Sequence, residues 1–126
     1  MDRSSPGYPC PCCGRVTFGG PPGSYEICAV CFWEDDTIQL RWPDYGGGAN
    51  TPSLIEAQRT CAEVGAMESR FVGNVRAADE SEPLDEGWRR IDLAVDRFEA
   101  RGVQKAPWPA DLTALYWRRS TFWRHG

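Results

Sequence analysis

Two pairs of cysteines near the N-terminus constrain the fold of this chain more than any other feature. Two residues separate Cys10 from Cys13 and Cys28 from Cys31, and a stretch rich in glycine and proline lies between the pairs. In a tight turn, two thiolates at this spacing can both face one tetrahedral ion, about 2.3 Å from each sulfur. The sequence therefore predicts one Zn²⁺ ion held by Cys10, Cys13, Cys28 and Cys31.

The predicted site is closed. Four thiolates around zinc leave no coordination position for water, so the ion is expected to be structural rather than catalytic. Iron can bind the same ligands, but zinc is favoured over iron because cytosolic Cys₄ ribbons usually hold zinc. Cys12 adjoins two of the ligands and can replace Cys13 if the turn winds differently. We expect Cys13 to be the ligand and Cys12 to be a thiol that points outward.

Residues 1–50 form the predicted zinc-ribbon-like domain, because they are rich in turn-forming and aromatic residues and have no helical period. Arg15–Phe18 and Ser24–Ile27 are expected to pair as a hairpin around the intervening glycine- and proline-rich loop. A third strand is predicted for Thr37–Trp42, in which apolar residues occupy alternate positions.

Residues 51–126 are predicted to be a helical extension packed on that domain. Ser53 and Glu56 form a capping-box pattern at the start of a helix over residues 54–64, and Gly65 is expected to end it. The apolar stripe of this helix comprises Leu54, Ala57, Cys61 and Val64.

A second helix is predicted from Pro83 to Gly102, because its apolar residues recur at helical spacing. Asp111 either caps a short last helix or precedes a strand. The predicted fold class is therefore α+β, with a small zinc-ribbon-like β-hairpin domain followed by two or three helices.

Charge and hydropathy exclude several classes of protein. The formal net charge of -4 and the isoelectric point near 5.0 argue against a surface dominated by phosphate contacts. The sequence has no apolar run of about 18 residues, and residues 1–7 contain no apolar core of a signal peptide. We therefore expect a cytoplasmic protein with no membrane partner, and no small-molecule substrate is evident.

The residue inventory predicts that the chain is not an enzyme. Its one histidine is His125, so zinc-braced nuclease chemistry and Cys-His or Ser-His-Asp catalysis lack a suitable general base. Carboxylates near the second cysteine pair can bind Mg²⁺ in principle, but consecutive side chains on a strand point to opposite faces. We expect Glu34, Asp35, Asp36 and Asp44 to be solvated or to accept hydrogen bonds from backbone N–H groups.

Several segments form one recognisable pattern. The run Cys10-Pro11-Cys12-Cys13 is followed by residues 22–28, Cys31-Phe32-Trp33-Glu34-Asp35-Asp36, Pro43-Asp44-Tyr45 and Gly47-Gly48-Ala49-Asn50. Residues 8 to about 58 thereby resemble the bacterial cysteine-rich CPCC family. That family has no established biochemical activity, so the resemblance implies a shared metal-binding domain and nothing about catalysis.

The predicted function is that of a non-enzymatic zinc-binding protein whose partner is another bacterial protein. One alternative is a nucleic-acid-binding regulator, because C-terminal aromatics interleave with arginines and can stack on bases. The same aromatic residues suit a core or a protein interface, and we expect them to pack in the core. They are Trp108, Tyr116, Trp117, Phe122 and Trp123. A further alternative is a thiol redox switch centred on Cys12.

Overall fold

The structure is a computed structural model that describes residues 7–123. Two short strands, β1 (Tyr8–Pro9) and β2 (Val16–Phe18), form an antiparallel hairpin around the first cysteine pair. The helices follow in chain order: α1 (Thr37–Arg41), α2 (Leu54–Val64), and 3₁₀ helices at Ser69–Asn74 and Leu112–Leu115. A small hairpin combined with short helices confirms the predicted α+β class.

The ends of the chain lie outside this description. Two predictions fall on positions that are not described: the absence of a signal-peptide core, which concerns residues 1–6, and the location of His125. Of the helices within residues 7–123, none has the length and apolar character that spanning a bilayer requires.

The strand partner predicted for β2 is wrong. β2 pairs with β1, with Tyr8 opposite Phe18, whereas residues 24–27 contribute only an isolated bridge between Ile27 and Glu34. The Glu26 carboxylate accepts hydrogen bonds from backbone N–H groups of the preceding glycine loop, and Tyr25 has a left-handed φ of 59°. The segment between Gly19 and Glu26 therefore folds back as a loop rather than a strand, and β2 pairs with the N-terminal segment.

The third predicted strand is also wrong, because Thr37–Arg41 forms α1. The Asp36 carboxylate caps this helix by accepting a hydrogen bond of 2.8 Å from the backbone N–H of Ile38. Ile38 is 42% exposed, while the polar Gln39 is fully buried. The alternating apolar pattern wrongly predicted a strand because the buried face of α1 is formed partly by polar side chains, which have hydrogen-bond partners within the protein.

Helix α2 is confirmed from residue 54 to residue 64, with both of its predicted caps. The Ser53 hydroxyl accepts from the Glu56 N–H, the Glu56 carboxylate accepts from the Ser53 N–H, and Gly65 ends the helix at a φ of 87°. One position of the predicted stripe is wrong: Val64 is 41% exposed, and the buried face includes Gln58 instead.

Replacing Ser53 with alanine is expected to lower the free energy of unfolding by about 1 kcal/mol, because the Glu56 N–H loses its acceptor at the helix start. Glu63→Ala on the exposed side of α2 is the control, with an expected change within about 0.5 kcal/mol. Urea denaturation measures both values. Equal effects of the two substitutions would contradict the capping role.

The second predicted helix does not form. Residues 83–85 instead lie beside the hairpin, where the Val16 N–H donates to the Pro83 carbonyl and the Asp85 N–H donates to the Gly14 carbonyl. Further along, the Asp96 carboxylate accepts hydrogen bonds from the Asp92 N–H and from Arg89. Such side-chain acceptors satisfy this backbone locally and compete with a helix.

Three of the five C-terminal aromatics lie in the same cluster of buried residues as the cysteines, and Trp123 packs against that cluster. The core prediction is wrong for Trp108, which is 37% exposed. Tyr116, Trp117 and Phe122 are 1%, 3% and 8% exposed, which confirms that they are core residues. Asp111 precedes a helix rather than a strand, because its side chain accepts from the Thr113 N–H and caps the last 3₁₀ helix. The predicted extension therefore contacts the cysteine region through its aromatic side chains.

Candidate metal centre

Two turns of matching geometry present the cysteine pairs. We call residues 10–14 the first knuckle and residues 28–32 the second. In the first, the Gly14 N–H donates to the Cys10 carbonyl; in the second, the Phe32 N–H donates to the Cys28 carbonyl, both at 2.8 Å. Gly14 and Phe32 both have left-handed backbones, with φ of 81° and 76°. Each turn directs its two thiols to the same side.

Gly14 directly follows the second cysteine of its pair, and its positive φ costs a glycine little. Phe32 adopts the same conformation although its Cβ makes left-handed backbone unfavourable by about 1–2 kcal/mol. Its ring packs on Phe71, with 4.4 Å between ring centroids. This packing helps to offset the backbone strain and ties the second knuckle to the first 3₁₀ helix.

The four predicted ligand sulfurs lie within 4.8 Å of one another. The sulfur of Cys10 is 3.6 Å from that of Cys31, and the sulfur of Cys13 is 3.7 Å from that of Cys28. Two thiolates bound to one tetrahedral ion at about 2.3 Å would be about 3.8 Å apart. The spacing therefore fits a tetrahedral site, and the cluster could hold a metal ion.

Burial and hydrogen bonding act in opposite directions on these thiols. Burial raises the pKa of Cys10, because a thiolate there is removed from water. Hydrogen bonds from Cys10, Cys13 and Cys31 lower the pKa of Cys28, and Thr17 adds a hydroxyl donor 3.3 Å from its sulfur. A bound cation would stabilise the thiolate forms that burial otherwise disfavours.

Position 14 also favours glycine because the Trp88 ring packs against it. A Cβ at Gly14 would lie 2.3 Å from the Trp88 ring. We expect Gly14→Ala to lower the free energy of unfolding by about 1–3 kcal/mol beyond the strain of a positive φ. Gly47 is the matched control, because it has a φ of 84° and an added Cβ would meet nothing within 4 Å. Urea denaturation that gives equal losses for Gly14→Ala and Gly47→Ala would contradict the role of Trp88.

The prediction that Cys12 points outward is wrong. Cys12 is 2% exposed, and its sulfur lies within 4.8 Å of the sulfurs of Cys31 and Cys61 rather than joining the four-sulfur group. Cys61, predicted on the inner face of α2, is partly buried and reaches the knuckles from that helix. The geometry thus groups Cys13, and not Cys12, with the other three predicted ligands.

The acidic residues beside the second knuckle accept hydrogen bonds. Asp35 is 2% exposed and accepts from the N–H and hydroxyl of Ser24, while its burial raises its pKa. Asp36 accepts from the N–H groups of Ile38 and Ala49. Within residues 7–123, the groups of side chains that could hold a metal contain only cysteines. The carboxylates of Asp35 and Asp36 therefore accept hydrogen bonds from backbone N–H groups, as predicted.

Two buried amides, Asn50 and Gln39, join the segment after the second knuckle to the loop before α2, and the sequence did not predict them. Asn50 donates to the Glu34 carbonyl and accepts from the Glu34 N–H, and Gln39 donates to three carbonyls of the loop before α2. Gln58 similarly donates to the Pro11 carbonyl of the first knuckle, at 2.8 Å. Polar residues that join distant backbone groups leave no periodic signal, although Asn50 belongs to one of the recognised segments.

Hairpin, knuckles and helices together define a small cysteine-rich α+β domain with a site that could hold one metal ion. The chain belongs to the Cysteine-rich CPCC family, whose family model matches residues 8–82. The match passes the expected limit near residue 58 and includes the first 3₁₀ helix, which packs on Phe32. The comparison with curated proteins finds no match to this chain.

Proposed function

We propose that this chain is a non-enzymatic zinc protein in which Cys10, Cys13, Cys28 and Cys31 hold one structural Zn²⁺ ion. The observation that carries the proposal is the convergence of their four sulfurs within 4.8 Å. A tetrahedral set of four thiolates suits zinc, and it leaves no position at which a substrate could bind the ion. The ion then stabilises the fold, and the function depends on a protein surface that this fold presents.

A candidate surface for a protein partner lies on residues 91–95. Leu93 and Val95 are 62% and 65% exposed and line a groove of about 670 Å³ together with Ile55 and Ile91. Exposed apolar patches of this kind favour protein contacts. Arg89 is already paired with Asp96, so Arg90 and Asp92 leave the groove with balanced charge, and a mainly apolar partner segment complements it.

The nucleic-acid alternative has less support. Three of its five aromatic residues are buried and unable to stack on bases without unfolding the core. Arg118 is also buried, with a side chain that is 1% exposed and an ion pair to Asp85, which Arg119 contacts as well. These two arginines are therefore committed to an internal carboxylate rather than to phosphates.

The redox alternative also has less support, because oxidation of a thiol requires access to solvent. Cys12, on which that alternative depends, is 2% exposed. A peroxide titration that oxidised Cys12 before unfolding the protein would restore this alternative.

The protein-binding proposal is tested by purifying the full chain from its host and identifying any bound protein by mass spectrometry. With that partner in hand, we expect Leu93→Asp with Val95→Asp to weaken binding at least ten-fold, because the groove becomes acidic and polar. Val72→Asp is the matched control, since Val72 is also exposed, at 48%, but belongs to the first 3₁₀ helix. Unchanged affinity of the double variant would contradict this surface.

A further inference from the structure

A second group of sulfur atoms adjoins the proposed zinc site. The sulfurs of Cys12, Cys31 and Cys61 lie within 4.8 Å of one another. Cys12 comes from the first knuckle, Cys31 from the second, and Cys61 from helix α2. Three separate parts of the chain thus bring thiols to one point, and Cys31 belongs to both groups.

Packing alone gives little reason for this arrangement. A cysteine that serves only as a small apolar residue has no need of other sulfurs as neighbours. Here all six cysteines of the chain gather in two overlapping groups. Cys12 and Cys31 are 2% and 0% exposed, whereas Cys61 is only partly buried and leaves a route from solvent.

We propose that Cys12, Cys31 and Cys61 bind a second thiophilic metal ion and that the Cys31 thiolate bridges it to the structural zinc. A thiolate sulfur has three lone pairs, so it can bind two ions at once. Three thiolates at about 2.3 Å from a trigonal ion would be about 4.0 Å apart, which the observed spacing accommodates. No electron is transferred; the thiol protons of Cys12 and Cys61 are released to solvent as the ion binds.

The donor set defines the class of ion. Soft thiolate ligands select Cu(I) or zinc over hard cations such as Mg²⁺. Cu(I) would be satisfied by three sulfurs, whereas a second Zn²⁺ would keep a fourth position for water on the exposed side of Cys61. The two ions share the same ligands, and a titration with each distinguishes them.

The test uses the full chain in a reducing buffer, first loaded with one equivalent of Zn²⁺. Native mass spectrometry then follows the uptake of added Zn²⁺ in one arm and of Cu(I) in the other. We expect the wild-type chain to take up one further ion in at least one arm. Cys12→Ser and Cys61→Ser should each keep the first zinc and lose the second ion, while Thr60→Ala, next to Cys61, should bind both.

Retention of the first zinc shows that each serine variant is folded, so loss of the second ion is then specific. The proposal is overturned if the wild-type chain stops at one ion in both arms, or if Cys61→Ser binds the second ion as the wild type does. Both results leave the proposed structural zinc intact. A wild-type chain that binds no ion contradicts the structural zinc and the second site together.

Discussion

Replacing Cys28 with serine is expected to unfold the region around the two knuckles. Structural zinc contributes about 10–16 kcal/mol to folding in small zinc-binding peptides. That value is comparable with the entire stability of a typical domain, about 5–15 kcal/mol. Because Cys28 is fully buried and contacts Cys13, its loss would remove one ligand and open the site to water.

Tryptophan fluorescence and thermal melting measure this effect. Trp33 follows the second knuckle and is fully buried, so unfolding there would expose its ring to water. With one equivalent of Zn²⁺ bound, Cys61→Ser is the matched control, since it also removes a thiol but leaves the four proposed ligands in place. The structural role of the site is contradicted if Cys28→Ser melts at the wild-type temperature.

Replacing Glu99 with glutamine is expected to lower the free energy of unfolding by about 3–5 kcal/mol, because it leaves a buried charge without its partner. The Glu99 carboxylate accepts two hydrogen bonds from Arg41, at 2.6 and 2.9 Å, and both side chains are 1% exposed. The guanidinium also lies over the rings of Trp42 and Trp108, within 4.8 Å of their centroids. The ion pair between Arg41 and Glu99 joins α1 to the segment of residues 83–102.

Urea denaturation measures that loss, with Glu68→Gln as the control. Glu68 pairs with Arg70 at the surface, where the arginine side chain is 63% exposed, so its replacement should cost less than about 1 kcal/mol. Arg41 also lowers the pKa of Glu99. The stability that the carboxylate contributes is therefore present at neutral pH and is lost as pH falls through its folded pKa. Equal losses of unfolding free energy for Glu99→Gln and Glu68→Gln would contradict a larger contribution from the buried ion pair.

Local signals in the sequence predicted local structure well. The capping residues and Gly65 located helix α2, and the cysteine spacing identified four thiols that the fold brings together. These features depend on neighbouring residues, whose geometry is set by hydrogen bonds within one turn. The family resemblance added the segments around the second knuckle.

Long-range partners were not predictable in the same way. Strand β2 has two candidate partners at similar sequence distance, and the choice of β1 depends on how Glu26 folds the loop back. Residues 83–102 have a helical apolar pattern, yet Leu84 and Val95 of that pattern are 48% and 65% exposed. The other members pack against the core without forming a helix; they are Trp88, Ile91 and Phe98. Cys12 was misplaced because its neighbour Cys61 is distant in sequence.

Zinc X-ray absorption can count the ligands of the proposed structural ion, which are Cys10, Cys13, Cys28 and Cys31. The sample is the chain loaded with one equivalent of Zn²⁺. We expect four sulfur ligands at about 2.3 Å and no oxygen or nitrogen in the first coordination sphere. Fewer than four sulfurs around the ion, or a chain that does not retain stoichiometric zinc, would contradict the proposed site.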